Sequence, residues 1–216
     1  VVSSNETQQI AVASIRSGSV DFVPKTEAMR GHVLWDRVRE ATRKAQSRAA
    51  EQQRIERRQK ELTHLADTDQ LTGLPNRRYL DHQLQSNAYE RDRRREMSCI
   101  MMDIDHFKRI NDVRGHAAGD VVLREIAELV GKGLSGGDVG IRWGGEEFVI
   151  FQSSTNLGEA WIWADEFRNR VAQIPFRTDG TDFGVTVSLG VVSFPTAKMG
   201  HEMIDLADRA MYLAKN

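Results

Sequence analysis

Two adjacent glycines in the second half of the chain lie between two short apolar runs, and this arrangement limits the fold more than any other feature. The stretch Gly144-Gly145-Glu146-Glu147-Phe148 follows the strand-like run 139–143 and precedes the strand-like run 149–151. A Gly-Gly pair supplies the positive φ values that a two-residue hairpin turn demands. The sequence therefore predicts a tight hairpin with antiparallel strands, which disfavours a purely parallel Rossmann sheet.

Acidic residues occur both at this turn and at the end of a second apolar run. Glu146 and Glu147 repel each other, which becomes useful when a divalent cation lies between them and a phosphate. The run 98–102 ends in Asp103-Ile104-Asp105, and the two-residue period of a strand puts both Asp side chains on one face. Oxygen ligands of this kind suit Mg²⁺. The alternative for one of the two aspartates is a cap on a helical turn that begins at His106.

Length and composition are those of a globular protein with one full domain and an appendage. The chain has 216 residues, 40% of them hydrophobic and 28% charged. Its formal net charge of -1 disfavours a general nucleic-acid binder, and its single cysteine, Cys99, indicates no disulfide. We expect a cytoplasmic protein without a membrane segment, since no apolar run approaches the roughly 18 residues of a span and no signal peptide is recognisable. The first residue is Val1 and not Met, and the last residue, Asn216, directly follows a helix-like run. We therefore expect the chain to be part of a longer protein.

The first of three segments, residues 1–31, alternates as strand, helix and strand and holds too little apolar surface for its own core. Ser3, Phe22 and Lys25 fit the type and spacing of residues at the end of a response-regulator receiver domain, which the segment resembles over about half a domain. That resemblance implies regulation through a receiver, with an upstream histidine kinase as partner. The phospho-accepting Asp of such a receiver belongs to earlier strands that this chain lacks, and a βαβ fragment of another small domain remains the alternative.

The second segment, residues 32–66, contains no proline or glycine and is rich in Arg, Gln, Glu, Lys and Ala, which predicts a long exposed helix. Apolar and small residues recur at heptad spacing, which indicates a coiled-coil stalk that forms a homodimer. The alternative is a solvated single helix. Both seams contain Ala, Gln or Arg, which make the coil weak and able to shift its register. One seam consists of Leu34, Ala41, Arg48, Ile55 and Leu62, and the other of Val38, Ala45, Gln52, Gln59 and Ala66.

The third segment, residues 67–216, alternates strand and helix patterns and predicts an α/β (α+β) domain with a central sheet. The predicted helices are 76–95, 117–132, 157–173 and 202–215, and the predicted strands are 98–104, 139–143, 148–152 and 184–193.

Seven motifs in this segment resemble, in the same order, those of the GGDEF family of diguanylate cyclases. The resemblance covers essentially all of residues 67–216 and implies the nucleotidyl-cyclase palm, a central, mostly antiparallel sheet wrapped by helices. The matching stretches are 69–78, 103–108, Asn111-Asp112, Gly115-His116 with Gly119-Asp120, the hairpin 144–148, 185–191 and 207–215.

The resemblance implies an enzyme that joins two GTP molecules, one on each subunit of a dimer, into cyclic di-GMP with release of pyrophosphate. Asp103 and Glu146, with the carbonyl of Ile104, would hold Mg²⁺ (or Mn²⁺) against the phosphates, and Glu147 would hold a second ion. Glu146 is also a candidate for assisting deprotonation of the attacking hydroxyl, but a metal-bound carboxylate is a weak base and metal ligation is its firmer role. The alternative function is a catalytically inactive nucleotide-binding module of the same family, against which the intact hairpin and Asp103 argue.

The resemblance also implies a set of substrate contacts. Gly144 and Gly145 would let the backbone approach the triphosphate, because a Cβ there would occupy the nucleotide's space. The β and γ phosphates would be bound by Lys108, Lys215 and the backbone amide of Phe107.

Guanine would be read by Asn111 and Asp120, because an Asp accepts hydrogen bonds from the N1 and N2 donors of guanine, which adenine does not offer in that arrangement. Each of these residues has a local alternative: Asp120 as the cap of a helix over 121–131, Asn111 in a turn, and both lysines solvated.

One departure from the family concerns product inhibition. Many members carry an Arg-x-x-Asp inhibitory site before the hairpin, and here the corresponding stretch is Ser135-Gly136-Gly137-Asp138. Asp138 is present but Ser135 replaces the Arg, which removes the bidentate guanidinium. We therefore expect weak or absent inhibition by cyclic di-GMP through this site.

Overall fold

The computed structural model describes residues 2–3, 23–24, 31–85, 96–178, 180–195 and 200–215. Its contacts divide the chain into two compact units, Val1–Thr63 and His64–Asn216. None of the helices in the described ranges is long and apolar enough to cross a membrane.

The first unit contains two short strands and most of a long helix. Strand β1 (Val2–Ser3) pairs in parallel with β2 (Val23–Pro24). The helix predicted between them, together with Phe22 and Lys25, lies outside the described residues. Helix α1 (Gly31–Asp67) spans the predicted stalk and carries exposed ion pairs one turn apart, such as Lys44 with Glu40, which support an exposed helix.

The second unit begins with the last turn of α1 and continues as a sheet with helices. Its elements are α2 (Arg77–Gln85), β3 (Met97–Ile104), α3 (Phe107–Arg114), α4 (His116–Gly133), β4 (Val139–Gly144), β5 (Glu147–Ser153), α5 (Leu157–Gln173), β6 (Phe176–Thr178), β7 (Thr181–Phe183), β8 (Val187–Ser193) and α6 (His201–Lys215). The four-stranded sheet has the order β4-β5-β3-β8, and all three neighbouring pairs are antiparallel.

Helices cover both faces of this sheet because alternate residues of its strands are apolar on opposite sides. In β3, Met102 belongs to a buried cluster with residues of α4 and α5, including Phe167. Its neighbour Met101 belongs to a second buried cluster with residues of α2 and α6, including Met203. Burying each such side chain contributes about 1.5–3 kcal/mol. Asp103, two residues after Met101 at the end of β3, lies on the same face of the sheet as α2 and α6.

Helix α6 approaches the sheet closely over Gly190 of β8. A Cβ at Gly190 would collide with the carbonyl of Ala207 and the backbone nitrogen of Met211. The glycine therefore seats the helix directly on the strand, and the same packing directs the end of α6, with Lys215, toward the end of β3.

The predicted fold class is confirmed, with differences in three elements. Helix α3 was not predicted, because it has only eight residues and begins after His106 in a left-handed conformation with no side-chain cap. The small hairpin of β6 and β7 was also not predicted, since each strand has three residues. Residues 184–186 precede β8 instead of belonging to it. The predicted helix 76–95 is observed as α2 up to Gln85, and residues 86–95 lie outside the described ranges.

Candidate active site at the ends of β3 and β5

The acidic residues meet where β3 ends and β5 begins. The register of this antiparallel pair sets Asp103 directly opposite Glu147, and the backbone N–H of Ile104 donates to the carbonyl of Glu146 at 3.4 Å. Directly opposite residues in such a pair project from the same face of a sheet. The structure thus brings together all four residues that the sequence assigned to cation binding.

This acidic group carries more negative than positive charge. Burial raises the pKa of Glu147 above its ordinary value, and the charges of Asp103, Asp208 and Glu146 raise it further, whereas Lys215 lowers it. The Nζ atom of Lys215 lies 2.6 Å from Oδ1 of Asp103. One ammonium group against several carboxylates leaves negative charge that a bound cation would neutralise.

The donor set fits a divalent cation that binds few protein side chains. Within the described residues, no three His, Cys, Asp or Glu side chains form a group that could hold a metal by themselves. Mg²⁺ commonly binds through one or two carboxylates and completes its shell with water and substrate phosphate. Two carboxylates with a backbone carbonyl, as predicted for Asp103, Glu146 and Ile104, match that coordination.

The hairpin itself differs from the predicted one in its backbone. Neither Gly144 nor Gly145 has a positive φ, so the expectation of left-handed glycines is wrong. A register shift between Arg142 and Gly144 distorts the ladder before the turn, which changes the backbone path that a regular two-residue hairpin would follow. A Cβ added at Gly145 would meet nothing within 4 Å, so neither conformation nor protein packing requires glycine there. Space beside the backbone is what the approach of a triphosphate would need.

Arg142 connects the hairpin to the turn that follows α1. Its Nη1 donates to both carboxylate oxygens of Asp69, at 2.9 and 3.0 Å, and its Nη2 and Nε donate to the carbonyl of Gly145, at 2.8 and 3.2 Å. Burial alone would raise the pKa of Asp69, but hydrogen bonds from Thr72 and Arg142 outweigh it and lower this pKa below its ordinary value. The ionised Asp69 therefore holds the guanidinium that supports the hairpin tip.

Asp105 has a structural partner set of its own. Its two carboxylate oxygens accept hydrogen bonds from the hydroxyl groups of Thr186, at 2.6 Å, and Ser188, at 2.7 Å. Helix α3 has no side-chain cap, so the alternative in which an aspartate caps this helix is wrong. Asp105 instead joins the end of β3 to the start of β8.

The predicted guanine-reading residues lie on α3 and α4, two helices that contact each other. A Cβ at Gly119 would collide with Oδ1 of Asn111 and would lie 3.0 Å from the ring of Phe107. Asn111 therefore packs on the residue next to Asp120. Asp120 lies within α4 and not at its start, which rules out the alternative of a helix cap, and its carboxylate is 3.7 Å from Nη2 of Arg124.

The two predicted phosphate-binding lysines differ in their surroundings. Lys108 follows the buried Phe107 on α3 and is exposed. Lys215 is engaged by Asp103, as described above.

Asp138 is fully used by the fold. Its Oδ2 accepts from the backbone N–H and the hydroxyl of Ser135, at 2.9 and 2.8 Å, and its Oδ1 accepts from the N–H of Ser153 at 2.8 Å. The carboxylate thus closes the turn before β4 and ties it to the end of β5. The short side chain of Ser135 contacts Asp138 and does not extend as far as an arginine side chain would.

Sequence reasoning missed three residues near the site. Asp69, Arg142 and Asp208 belong to or flank recognised motifs, but no role was assigned to them. Asp69 and Arg142 are 73 positions apart, and only the placement of β4 beside the turn after α1 joins them. The signal available was their charge: an Asp before a turn and an Arg before a hairpin.

Comparison with known proteins identifies the family. Residues 66–216 match the family described as diguanylate cyclase, GGDEF domain. The chain is 39% identical over 160 residues to the diguanylate cyclase DgcP of Pseudomonas aeruginosa, which covers 71% of this chain and 24% of DgcP. It is 41% identical over 157 residues to the response regulator PleD of Caulobacter vibrioides, which covers 70% of this chain and 34% of PleD. The chain therefore spans only about a quarter to a third of the length of these two relatives.

Solved structures agree with this assignment. The crystal structure of the coiled coil and GGDEF domain of DgcB from Caulobacter crescentus, in complex with c-di-GMP, aligns with a TM-score of 0.71 at 30% identity and covers 81% of this chain and 93% of that one. The active GGEEF domain of a diguanylate cyclase from Vibrio cholerae aligns with a TM-score of 0.57 at 36% identity, covering 66% and 91%. With its sheet, its hairpin and the match over residues 66–216, the chain belongs to the GGDEF family of diguanylate cyclase domains.

Proposed function

We propose that this chain is an active diguanylate cyclase that condenses two GTP molecules into cyclic di-GMP and pyrophosphate as a homodimer. The observation that carries the proposal is the pairing of Asp103 with Glu147 beside a hairpin whose Gly145 has open space next to its backbone. Like charges opposite each other in a sheet are destabilising. A bound cation and a phosphate ligand would explain why the fold keeps these two acidic side chains beside the glycine turn.

Asp103 and Glu146, with the Ile104 carbonyl, would hold Mg²⁺ or Mn²⁺, and Glu147 would hold a second ion. When bound, such ions neutralise the charge that develops on the transferring phosphoryl group. Lys215 lies within reach of the same carboxylates and would add positive charge for the terminal phosphates. Catalysis of this kind depends mainly on position and charge, so the protein needs no covalent intermediate.

Asn111 and Asp120 would select guanine. Asn111 packs on Gly119, the residue before Asp120, so an amide and a carboxylate on neighbouring helices would be available to donate to and accept from a single base edge. The Phe107 amide and Lys108 lie at the start of the same helix α3, so base recognition and phosphate binding would be linked through one short element.

Dimerisation would bring two half-sites together through α1. Apolar side chains at the predicted heptad positions are exposed on this helix, with Ile55 at 51% and Leu62 at 52%. An unpartnered apolar stripe on a long charged helix favours a second copy of the same helix. The parallel pairing of β1 and β2 supports a strand-helix-strand segment before the stalk, through which a receiver would regulate the register of the coil.

Product analysis tests this proposal. The protein is incubated with GTP and Mg²⁺, the nucleotides are separated, and parallel reactions use ATP or the Glu146→Ala variant. Cyclic di-GMP from GTP alone, lost in the variant, supports the cyclase. Binding of GTP without any product would instead assign the chain to the inactive nucleotide-binding members of the family.

A further inference from the structure

Asn76 contacts three separate elements of the second unit: the last turn of α1, the start of α2 and strand β4. Its Nδ2 donates to the carbonyl of Ala66 at 2.9 Å, and its backbone N–H donates to the carbonyl of Asp67 at 2.8 Å. Ala66 and Asp67 form the last turn of α1. Two of the carbonyls that a helix leaves without partners at its end are therefore bound by one residue.

The same side chain begins helix α2. Its Oδ1 accepts from the backbone N–H groups of Arg78, at 2.9 Å, and Tyr79, at 3.3 Å, which is the contact of an N-cap residue. The two ends of one amide group thus have different tasks. The oxygen caps α2, and the nitrogen holds the end of α1.

A continuous set of hydrogen bonds runs from Asn76 to the tip of the hairpin. Asn76 forms a parallel bridge with Arg142, and the N–H of Arg142 donates to the carbonyl of Pro75 at 2.9 Å. The guanidinium of Arg142 then donates to the carbonyl of Gly145. The side chain of Asn76, the carbonyl of Pro75 and the guanidinium of Arg142 thus connect the end of α1 to the turn that carries Glu146.

We propose that Asn76 is a positioning residue that couples the last turn of α1 to the hairpin, so that displacement of the helix end displaces the hairpin tip. The coupling resides in the Nδ2 donor to Ala66 and passes through the Pro75 carbonyl to Arg142. Its consequence for catalysis rests on the proposed function, but the coupling itself is a property of these hydrogen bonds and does not depend on catalysis. It gives the last turn of α1 a direct mechanical route to the acidic residues of the site.

The two tasks of the amide are separated by substitution. Asn76→Asp keeps an acceptor that caps α2, since Asp is among the best N-cap residues, but it removes the donor to Ala66. Asn76→Ser also caps and lacks the amide donor. A matched control is Asn156→Asp at the start of α5, where Oδ1 accepts from the N–H of Glu159 at 3.0 Å and Nδ2 has no hydrogen bond among the described residues.

Amide hydrogen exchange on the full chain, with thermal unfolding of each variant, tests the coupling without any assay of activity. We expect Asn76→Asp and Asn76→Ser to exchange about fivefold faster than wild type both at residues 64–68 and at the hairpin 142–147, the effect of losing one hydrogen bond of ordinary strength. The melting temperature of Asn76→Asp should stay close to that of Asn156→Asp, whose hairpin should exchange as in wild type.

Two results would overturn the proposal. Faster exchange confined to residues 64–68, with an unchanged hairpin, would show that Asn76 acts only on the helix end. Faster exchange spread evenly over the sheet, with a large loss of melting temperature, would make it an ordinary stabilising residue. Neither result depends on whether the protein makes cyclic di-GMP.

Discussion

Asp69 and Arg142, 73 positions apart in the chain, form a two-bond contact at 2.9 and 3.0 Å that holds the arginine against the hairpin carbonyl of Gly145. The side chains of both residues are largely shielded from water, with exposures of 23% for Asp69 and 16% for Arg142. Charge-assisted hydrogen bonds in such a setting are stronger than those between neutral groups. The contact explains why the glycine turn keeps a defined position although its own backbone is not that of a regular hairpin turn.

Asp69→Asn should destabilise the second unit by about 1–2 kcal/mol and reduce its sensitivity to acid. Because the pKa of Asp69 is lowered in the folded protein, its contribution is complete above the unfolded pKa and is lost as pH falls through the folded pKa. Denaturant unfolding at pH 7 and at about pH 3 measures both effects. Equal losses of stability on acidification in the variant and the wild type would show that the pair contributes nothing.

Gly119→Ala should weaken GTP binding by displacing Asn111. The added methyl group would collide with Oδ1 of Asn111, and losing a hydrogen bond to the base costs about 1 kcal/mol, roughly a fivefold to tenfold loss of affinity. Calorimetric titration with a non-hydrolysable GTP analogue measures it. Gly131→Ala in the same helix is the control, since a Cβ there meets nothing within 4 Å and should leave binding unchanged. Unaltered affinity in Gly119→Ala would remove Asn111 from the base site.

Asp138 should act in stability and not in product inhibition. Asp138→Ala removes three hydrogen bonds around Ser135 and Ser153 and should cost about 1–3 kcal/mol in thermal unfolding. Cyclic di-GMP should inhibit the wild-type protein weakly at this site, because Ser135 supplies no guanidinium. Ser135→Arg should strengthen inhibition. Potent noncompetitive inhibition of the wild type that Asp138→Ala abolishes would contradict this account.

Charge placed on the apolar stripe of α1 should separate the subunits. Ile55→Asp with Leu62→Asp removes two apolar contacts of about 1.5–3 kcal/mol each, so the dimer dissociation constant should rise at least tenfold. Sedimentation equilibrium measures the constant. The control is Gln46→Asp with Gln53→Asp, which adds the same two charges outside both seams of the helix. A dissociation constant that is the same in the double variant and the control would leave the stalk without a role in assembly.

Local patterns predicted most of the fold. The continuous apolar run around Met101 and Met102 predicts β3, which is buried on both faces, and the glycine turn predicts the antiparallel pairing of β4 with β5. The site residues near these strands could be assigned from motifs since they lie within a few positions of them.

What sequence could not supply depends on contacts between distant segments. The hydroxyl partners of Asp105 are brought to it only once β8 lies beside β3, and the bulge before Gly144 arises only in the pairing of β4 with β5. Helix α3 has no capping side chain that its sequence could reveal, and the chain turns into this helix through the left-handed backbone of His106. The division of the chain at residues 31–32 and 66–67, and the role of each site residue, stay predictions.

The initial rate of cyclic di-GMP formation from GTP and Mg²⁺, measured against protein concentration, tests the central claim most directly. If the site at Asp103 and Glu147 is half of a cyclase centre, the rate will rise more than linearly until dimers predominate. Adding excess Glu146→Ala protein will then reduce the rate by forming mixed dimers. Strict proportionality between rate and protein, or no product at any concentration while GTP binds, would contradict a cyclase built from two such halves.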